Sequence, residues 1–417
     1  MAAARMQKTA ANRQMRNGAR GARMAACTSM GRANRVRCAA VADAEDRLTG
    51  AASVAAERKF NFSAGPAMLP LDVLEEVQRD LVSYKGSGTS VLEMSHRSKE
   101  FVGIADEAEA SLRELLGVPE GYQVLFMQGG ASSQFSAVPL NLTAGANDVA
   151  DYVTTGSWSK KAIKEGKRYC DARLAASSEE AKFTTVPAES TWSVSDGAKY
   201  LHICANETIQ GVEFRGAPSS HNGPLVADMS SNFCSKPVNV ADYGVIYAGA
   251  QKNIGPAGVT IVIVRDDLIG NARAECPTML DWSVAAEAKS MYNTPPCFAI
   301  YVCGLVFKRL LQRGGLEQQE KVNKEKCGKL YDAITASGGF YASPVDESVR
   351  SAMNVPFTLA NADLDKAFLE GAAARGLITL KGHRSVGGMR ASIYNAMPME
   401  GVDALVSFMA DFQAQHA

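Results

Sequence analysis

Short apolar runs of strand length alternate with amphipathic segments over most of this chain. Six runs between residues 123 and 264 are largely hydrophobic, which suits strands that are covered on both faces. They are QVLFMQ (123–128), DVADYV (148–153), YLHICA (200–205), PLVADM (224–229), GVIYAGA (244–250) and GVTIVIV (258–264). Helical segments between several of them predict an α/β fold with a mainly parallel sheet. The last two runs are too close for a crossover helix, so we predict an antiparallel step there.

Two helices with an apolar face are predicted before the first of these runs. The segment 71–84 begins with Asp72 and Glu75 in the spacing of a capping box. The segment 101–117 keeps its apolar residues on one helical face and ends at Gly117. Both helices should therefore bury one face in the core.

The composition changes near residues 313–320, RGGLEQQE, and a second set of elements follows. We predict helices 317–330, 363–375 and 401–412 and strands near 351–359, 377–382 and 390–395. These elements are typical of a compact unit of α+β type. The chain is therefore predicted to have a large domain, residues 71–318, and a small domain, residues 59–70 with 319–417.

Residues 1–42 differ from the rest of the chain in charge. They hold nine Arg or Lys residues and no Asp or Glu, which is typical of an organelle transit peptide. We predict a chloroplast leader and a stromal protein, with a mitochondrial leader or a disordered basic tail as the alternatives. The remaining residues hold 35 basic and 44 acidic side chains, and this acidic excess argues against nucleic acid as a partner.

Neither a membrane span nor a metal site is predicted. The longest strongly apolar run, residues 258–264, is far shorter than the roughly 20 residues that a bilayer-spanning helix needs. The seven cysteines beyond residue 42 have neither CxxC pairs nor the spacing of a disulfide framework. We therefore expect no membrane partner and no bound metal.

Lys252 follows the apolar run GVIYAGA and precedes a glycine–proline turn. An unpaired ammonium at the end of a buried strand is costly. A Schiff base with an aldehyde cofactor removes this cost because the nitrogen joins a conjugated system. Lys252 is therefore a candidate for holding pyridoxal phosphate, and we expect the small residues after it to leave room for the cofactor. The alternative is a lysine whose stem is buried and whose ammonium reaches water.

Two further features meet the needs of this cofactor. Asp228 ends an apolar run 24 residues before Lys252 and could keep the ring nitrogen protonated, or could merely cap a turn. The turn Gly129–Gly130, followed by Ala131 and Ser132, opens a helix whose backbone N–H groups could bind the phosphate.

An aromatic side chain and a hydroxyl complete the candidate cofactor site. Trp158 follows a predicted strand and could stack on the cofactor ring, although a core tryptophan is the alternative. Thr208, in NETIQG, could donate a hydrogen bond to the ring oxygen. Neither residue identifies the cofactor without Lys252.

Arg390 and two His–Arg pairs suit a substrate with two anionic ends. The guanidinium of Arg390 could hold an α-carboxylate through two parallel hydrogen bonds. The pairs His96–Arg97 and His383–Arg384 could bind a phosphate or carboxylate tail. Each pair alone could be a surface salt bridge, but both pairs together, in a chain with five histidines, favour an anion pocket.

Nine sequence segments occur in a fixed order between residues 59 and 417. They are FNFSAGPAMLP, GTSVLEMSHRSKEF, QGGASSQFSAVPLNL, TGSWSKKA, NETIQGVEF, ADMSSNFCSKP, YAGAQKNIGPAGVT, YNTPP and GHRSVGGMRASIYNAMP. In this order they resemble the phosphoserine aminotransferases, which are fold-type I enzymes of the class V aminotransferase family. The resemblance implies a large domain with a seven-stranded, mainly parallel sheet and the cofactor pyridoxal phosphate.

The same resemblance implies roles for the residues around the cofactor. Lys252 would hold the cofactor, Asp228 would face the ring nitrogen and Trp158 would stack on the ring. Thr208 would reach the ring hydroxyl, and Gln251 would lie near the phosphate.

The implied enzyme is a homodimer with shared sites. It transfers an amino group between phosphoserine and 2-oxoglutarate, with 3-phosphohydroxypyruvate and glutamate as the other pair, in serine biosynthesis and through Lys252. Asn293 and Thr294 would bind the phosphate from the neighbouring subunit. Two departures from the family pattern, Ser132 in the glycine-rich turn and Ala64 in the first segment, weaken any side-chain role at those positions.

Two other interpretations stay open at this point. Another class V aminotransferase, of the alanine–glyoxylate or serine–glyoxylate type, needs no second anion site, so the His–Arg pairs argue against it. A catalytically inactive scaffold of the same fold would be expected to lack Lys252 or Asp228, and both are present.

Overall fold

The structure, a computed structural model, describes residues 58–417. A seven-stranded sheet forms the centre of this part of the chain. The predicted leader, residues 1–42, lies outside the described residues. The strands are β1 (Phe60–Asn61), β2 (Tyr122–Met127), β3 (Val149–Thr154), β4 (Asp171–Ser177), β5 (Leu201–Cys204), β6 (Asn206–Glu207), β7 (Val212–Glu213), β8 (Leu225–Asp228), β9 (Val245–Gly249), β10 (Thr260–Arg265), β11 (Tyr341–Ala342), β12 (Asn354–Leu359), β13 (Leu377–Ile378) and β14 (Met389–Ser392). The large sheet has the order β2-β10-β9-β8-β5-β3-β4.

Four strand pairs of this sheet are parallel, and β10 runs against both of its neighbours, β9 and β2. The mainly parallel sheet and the antiparallel step between the last two apolar runs are therefore confirmed. The edge strand β4 was not predicted. Only Ala172 and Ala175 of its seven residues are buried, so it lacks the continuous hydrophobicity of the inner strands.

Helices cover both faces of the large sheet. The helices are α1 (Leu71–Asp80), α2 (Lys99–Leu116), α3 (Gly130–Leu142), α4 (Ser157–Gly166), α5 (Trp282–Glu287), α6 (Cys297–Gln312), α7 (Gly315–Ala336), α8 (Asp365–Ala374) and α9 (Met399–His416). Short 3₁₀ turns occur at Tyr84–Gly86, Glu189–Thr191, Val240–Asp242, Asp266–Leu268, Thr278–Leu280, Glu347–Val349 and Ala362–Leu364. Ile246 and Ala248 pack with residues of α2 and α6, whereas Val245 and Tyr247 pack with residues of α3 and α4. This alternation along β9 is the period of two expected of a strand buried on both faces.

A separate apolar core lies beside the antiparallel strands β11, β12 and β14. Phe62 joins residues of α7, α8 and α9 in this core. These are the elements predicted beyond residues 313–320. The domain boundaries at 71–318, and at 59–70 with 319–417, stay a prediction. Within residues 58–417 no helix has both the length and the hydrophobicity to cross a membrane.

The beginning of α1 differs from the prediction. Pro70 occupies the N-cap position, and no side chain caps the helix. The carboxylate of Asp72 accepts instead from the guanidinium of Arg309 on α6, at 2.7 Å. The predicted capping box of Asp72 and Glu75 is therefore wrong, because an ion pair with a neighbouring helix engages the Asp72 carboxylate. The predicted stop at Gly117 is confirmed, since its φ of 60° is the left-handed conformation of a helix C-cap.

Candidate active site

The carboxyl ends of β2, β3, β8 and β9 lie side by side along the same edge of the large sheet, the one at which these strands end. In open α/β sheets this edge is where loops and helix N-termini converge on ligands. Asp228 ends β8, and Lys252 comes three residues after the end of β9. Gly130 opens α3 after β2, and Trp158 lies in the first turn of α4 after β3. The predicted cofactor residues therefore meet at a single place in the fold.

The amine of Lys252 is fixed by a hydroxyl and an aromatic ring. Its Nζ donates to Oγ1 of Thr208 at 2.6 Å and lies 4.9 Å from the ring centroid of Trp158. Burial lowers the pKa of Lys252, and the charge of Asp228 opposes this shift. At neutral pH a lysine in such surroundings carries a neutral, nucleophilic amine more often than an exposed lysine does.

Asp228 is a nearly buried carboxylate with a single backbone partner among the described residues. Its side chain is 4% exposed, and Oδ1 accepts from the backbone N–H of Ser230 at 2.9 Å. Burial raises the pKa of Asp228, whereas the charge of Lys252 and the bonds from Ser230 lower it. A cationic ring nitrogen is the kind of partner that would keep this carboxylate ionised.

The turn before α3 presents backbone N–H groups to the same edge. Gly129 and Gly130 have φ values of 88° and 69°, which favour glycine. A Cβ at Gly129 would also collide with the side chain of Ser133. The N–H groups of Ala131 and Ser132 lie in the first helical turn, where they have no carbonyl partner within the helix. Such a helix start binds phosphate.

Glu207 is a buried carboxylate that sequence reasoning missed. It accepts from the backbone N–H groups of Trp158 at 2.9 Å and Ser159 at 2.8 Å, and from Oγ of Ser159 at 2.6 Å. Burial raises the pKa of Glu207, and these three bonds oppose the shift. A Cβ at Gly156 would collide with this carboxylate. Glu207 therefore anchors the start of α4 and holds Trp158 beside the neighbouring Thr208.

Only a weak signal in the sequence points to Glu207. The segment NETIQG contains it next to Thr208, but the residue that it caps lies 49 positions earlier. The first turn of α4 contains no acidic residue, and its N-cap position is a glycine, which has no side chain to cap a helix. A helix start without a capping side chain of its own was therefore the sequence signal that a distant residue caps α4.

The predicted substrate residue Arg390 lies in β14, and His383 and Arg384 come shortly before this strand. An N–H of Arg390 points to the carbonyl oxygen of Thr208 at 3.5 Å. Burial lowers the pKa of His383, and the charges of Arg390 and Arg384 lower it further. The ring of His383 shares a hydrogen bond of 2.7 Å with Oγ of Ser385. Within one chain, Arg390 therefore lies beside Thr208, the hydrogen-bond partner of Lys252, and its charge acts on His383.

The remaining predicted residues are not joined to this cluster. Among the described residues, no hydrogen bond or ion pair connects His96 or Arg97 with Lys252 or its neighbours, and Nε2 of His96 is buried without a partner. Asn293 and Thr294 lie beside Gln128, whose Nε2 is 3.5 Å from Oδ1 of Asn293 and 3.3 Å from the carbonyl oxygen of Thr294. Gln128 directly precedes the glycine turn of α3.

Gln251 and Gly255 flank Lys252 and differ in what they contact. The carbonyl of Gln251 accepts from the N–H of Ala67 at 2.8 Å. A Cβ at Gly255 would collide with Sγ of Cys303 in α6. The expectation that the small residues after Lys252 serve the cofactor is therefore wrong for Gly255, which is small because a helix packs against it.

The donor set at this edge fits pyridoxal phosphate. It combines an amine of lowered pKa in Lys252, a buried carboxylate in Asp228 and the free N–H groups at the start of α3. Nε1 of Trp158 is buried and has no hydrogen-bond partner among the described residues. Its ring carries Nζ of Lys161 at 4.1 Å from the centroid, so the indole sits in a cationic environment that an anionic cofactor would neutralise.

Comparison with known proteins gives a consistent family. A family model described as aminotransferase class V matches residues 59–405. The chain is 57% identical over 383 residues to phosphoserine aminotransferase 1, chloroplastic, of Arabidopsis thaliana, covering 92% of this chain and 89% of the relative. It is 59% identical over 357 residues to the phosphoserine aminotransferase of Acidithiobacillus ferrooxidans, covering 86% and 98%.

Solved structures separate this family from others of the same fold. The phosphoserine aminotransferase from Bacillus circulans subsp. alkalophilus superposes with a TM-score of 0.84 at 48% identity, covering 87% of this chain and 100% of that one. The pyridoxal-phosphate-bound phosphoserine aminotransferase from Trichomonas vaginalis gives 0.81 at 43% identity, covering 85% and 100%. An alanine–glyoxylate aminotransferase from Nostoc gives 0.66 at 14% identity, a likeness of fold alone.

Proposed function

Because the chain belongs to the phosphoserine aminotransferase family, it is a pyridoxal-phosphate-dependent aminotransferase, and we propose that Lys252 binds the cofactor and transfers the substrate proton. The observation that carries the proposal is the position of the Lys252 amine. It donates to Thr208 and faces Trp158 at the sheet edge where Asp228 ends β8.

Each of these residues has a defined task. Pyridoxal phosphate, when bound, supplies an aldehyde that takes up the amino group and a ring that accepts electrons. Burial lowers the pKa of Lys252, which makes a neutral amine available to take the α-proton of the substrate and return it. Asp228 would keep the ring nitrogen protonated, Trp158 would provide a stacking surface for the ring, and Thr208, which accepts from the Lys252 amine, would orient that amine.

The phosphate of the cofactor would be held mainly by backbone groups. The N–H groups of Ala131 and Ser132 are available at the start of α3. Gln251 would add a side-chain amide from the turn that carries Lys252. Asn293 and Thr294 would reach the phosphate from the second subunit of a homodimer.

Phosphoserine and glutamate are the amino-group donors, with 3-phosphohydroxypyruvate and 2-oxoglutarate as the corresponding keto acids. We assign the α-carboxylate of both donors to Arg390, whose guanidinium can bind it through two hydrogen bonds. His383 and Arg384 would bind the phosphate or carboxylate tail. Because no hydrogen bond or ion pair joins His96 or Arg97 to this cluster among the described residues, we assign their contribution to the second subunit.

A single half-reaction tests the function. Purified protein carrying its cofactor is mixed with phosphoserine in the absence of any keto acid, and the visible absorbance of the cofactor is followed. We expect the band to disappear with release of one 3-phosphohydroxypyruvate per cofactor. Faster conversion by alanine or serine than by phosphoserine would contradict the assignment and favour a glyoxylate-type aminotransferase.

Substrate preference should respond differently to two arginines. A hydrogen bond to a charged group contributes about 1.5–3 kcal/mol, so Arg384→Ala should lower kcat/KM for phosphoserine by about ten- to a hundred-fold. Glutamate should lose a similar factor and alanine much less, because alanine has no anionic tail. Arg390→Ala should lower kcat/KM for all three amino acids by a similar factor.

The control for these variants is Arg375→Ala, which removes an exposed arginine paired with Asp411. It should leave all three kcat/KM values within about twofold, as expected of an exposed ion pair. An unchanged phosphoserine-to-alanine ratio in Arg384→Ala would mean that this arginine does not bind the substrate tail.

A mixed dimer would reveal whether the sites are shared between subunits. One subunit carries Lys252→Ala and the other the double change Asn293→Ala with Thr294→Ala, and two affinity tags isolate the mixed species. If the phosphate residues act across the interface, one of the two sites is intact and about half of the wild-type rate returns. If they act within one chain, both sites are damaged and no activity returns.

We also propose that the enzyme is imported into the chloroplast. Relatives from Arabidopsis thaliana are named as chloroplastic, and residues 1–42 have the composition of a transit peptide. A fusion of these residues to a fluorescent protein should reach the chloroplast stroma. Import into mitochondria would overturn the proposal.

A further inference from the structure

Lys326 on α7 is a fully buried lysine outside the predicted active site. Its side chain is 0% exposed, and Nζ donates to the carbonyl oxygens of Ile393 at 3.0 Å, Tyr394 at 2.7 Å and Met397 at 3.2 Å. The three N–H bonds of an ammonium therefore match three carbonyl acceptors. Within residues 58–417 no carboxylate forms an ion pair with Lys326. Burial lowers the pKa of this lysine to about 7, whereas the acceptors favour its charged form.

The three carbonyls belong to the irregular segment 393–397, which directly follows β14, the strand that carries Arg390. Tyr394 in this segment donates from its hydroxyl to the carbonyl of Ala64 at 2.7 Å. A buried carbonyl that loses its hydrogen-bond donor is costly, so an apolar side chain at position 326 would leave these three carbonyl oxygens without the bonds from Lys326.

The same segment is bonded to the turn that carries Lys252. The backbone N–H of Asn395 donates to Oδ1 of Asn253 at 2.9 Å, and Nδ2 of Asn395 donates to the carbonyl of Cys234 at 2.7 Å. Nδ2 of Asn253 in turn donates to the carbonyl of Phe233 at 2.7 Å. Asn253 is the residue next to Lys252, so the segment that follows Arg390 is connected to the Lys252 turn by buried hydrogen bonds.

A second polar side chain of α7 supports this connection. Asn323 lies three residues before Lys326, on the same face of the helix. Its Nδ2 donates to Oδ1 of Asn395 at 2.9 Å and to the carbonyl of Ser235 at 2.9 Å, and Oδ1 accepts from Gln319 at 3.0 Å. Two of the three buried polar side chains of α7, those of Asn323 and Lys326, therefore bond to segment 393–397.

We propose that Lys326, together with Asn323, is a positioning residue that fixes the distance between Arg390 and Lys252. The proposal rests on the roles proposed above for those two residues. Lys326 holds the backbone immediately after Arg390, and Asn323 holds the asparagine that bonds to the Lys252 turn. A substrate whose α-carboxylate is held by Arg390 must present its α-carbon to the amine of Lys252, so this distance decides whether the proton is within reach.

Lys326→Met tests the proposal because methionine keeps much of the apolar stem and removes all three N–H donors. In the variant that carries its cofactor, we expect KM for glutamate and for phosphoserine to rise together by about tenfold, and the half-reaction rate per bound cofactor to fall. Activity with alanine should fall by a similar factor in Lys326→Met, which distinguishes Lys326 from Arg384, whose loss should spare alanine. Lys329→Met is the matched control, since Lys329 lies on the same helix but is exposed and paired with Asp403.

Amide hydrogen exchange of the cofactor-free protein gives a second measurement that does not depend on activity. Lys326→Met should speed exchange in peptides covering 388–398 and also in those covering 250–256, because the two segments are coupled. Faster exchange limited to 388–398, together with unchanged kinetic constants per bound cofactor, would overturn the proposal and leave Lys326 with a role in stability alone.

Asn323→Ala provides the test if Lys326→Met does not fold. It removes the bonds to Asn395, Ser235 and Gln319 but leaves those of Lys326, and we expect the same pattern with a smaller rise in both KM values. Unchanged KM values in this variant would overturn the proposal. Failure of the wild-type protein in the half-reaction would instead reject the proposed function, while the exchange coupling between the two segments would still be measured.

Discussion

Lys252→Ala is expected to abolish transamination, with a loss in kcat of at least about 10⁴-fold, while the fold and the dimer persist. The substitution removes the amine that is proposed to bind the cofactor and to move the substrate proton. Lys252 is partly buried, and among the described residues its side chain donates a hydrogen bond to Thr208 alone, so alanine disrupts no extended network. Steady-state kinetics and circular dichroism of the purified variant would measure both effects.

The control for this prediction is Lys164→Ala, which changes an exposed lysine on α4. Its kcat should stay within about twofold of the wild type, as expected of a surface substitution. Borohydride reduction of the holoenzyme followed by peptide mapping should place the cofactor label on Lys252. Lys326 is the informative competitor because burial also lowers its pKa. A label on Lys326 or any other lysine would contradict the assignment.

Asp228→Asn is expected to lower kcat by about 10²- to 10³-fold or more, because a neutral amide cannot stabilise a protonated ring nitrogen. Asparagine has nearly the same shape and keeps an oxygen that can accept from the N–H of Ser230. A role as a simple turn cap would therefore survive this change. Single-turnover kinetics with glutamate would separate the chemical step from cofactor binding.

Asp242→Asn serves as the matched control for Asp228→Asn. Asp242 is exposed at the end of a 3₁₀ turn and accepts only from Asn239 among the hydrogen bonds of the described residues. The kinetic constants of the Asp242→Asn variant should equal those of the wild type. A near-normal rate in Asp228→Asn, with the cofactor bound, would show that the carboxylate is not needed at the ring nitrogen.

The fold was largely predictable because its signals are local. The inner strands are buried on both faces, so each appears as a continuous apolar run, whereas the edge strand β4 buries only Ala172 and Ala175 and gave no such signal. Lys252 and Asp228 were predicted as site residues for a similar reason. Each is a charged residue at or just after the end of an apolar run, which is an exception to burial that a sequence displays directly.

The capping box at Asp72 shows the limit of local patterns. Its spacing was correct, yet the carboxylate pairs with Arg309, which is 237 residues away in the chain. A sequence pattern can give the groups that a side chain could bond, but not which of them it meets after packing.

The proposed roles of His96 and Arg97 involve quaternary structure. The residue types of these pairs predict anion binding, but among the described residues no hydrogen bond or ion pair joins His96 or Arg97 to the Lys252 cluster. In the proposed homodimer they would reach the substrate from the second subunit, and the mixed-dimer experiment tests the same arrangement for Asn293 and Thr294.

By itself the sequence determined the order of helices and strands, the α/β class and the charged residues that end buried strands, because these follow from periodic burial along the chain. Only the tertiary structure revealed the tasks of Glu207 and Lys326. Each is a buried charge whose partners are backbone groups far along the chain, 49 residues away for Glu207 and Trp158 and 67 to 71 for Lys326 and segment 393–397. Backbone N–H and carbonyl groups are the same in every residue, so no letter of the sequence marks those that a distant carboxylate or ammonium will meet.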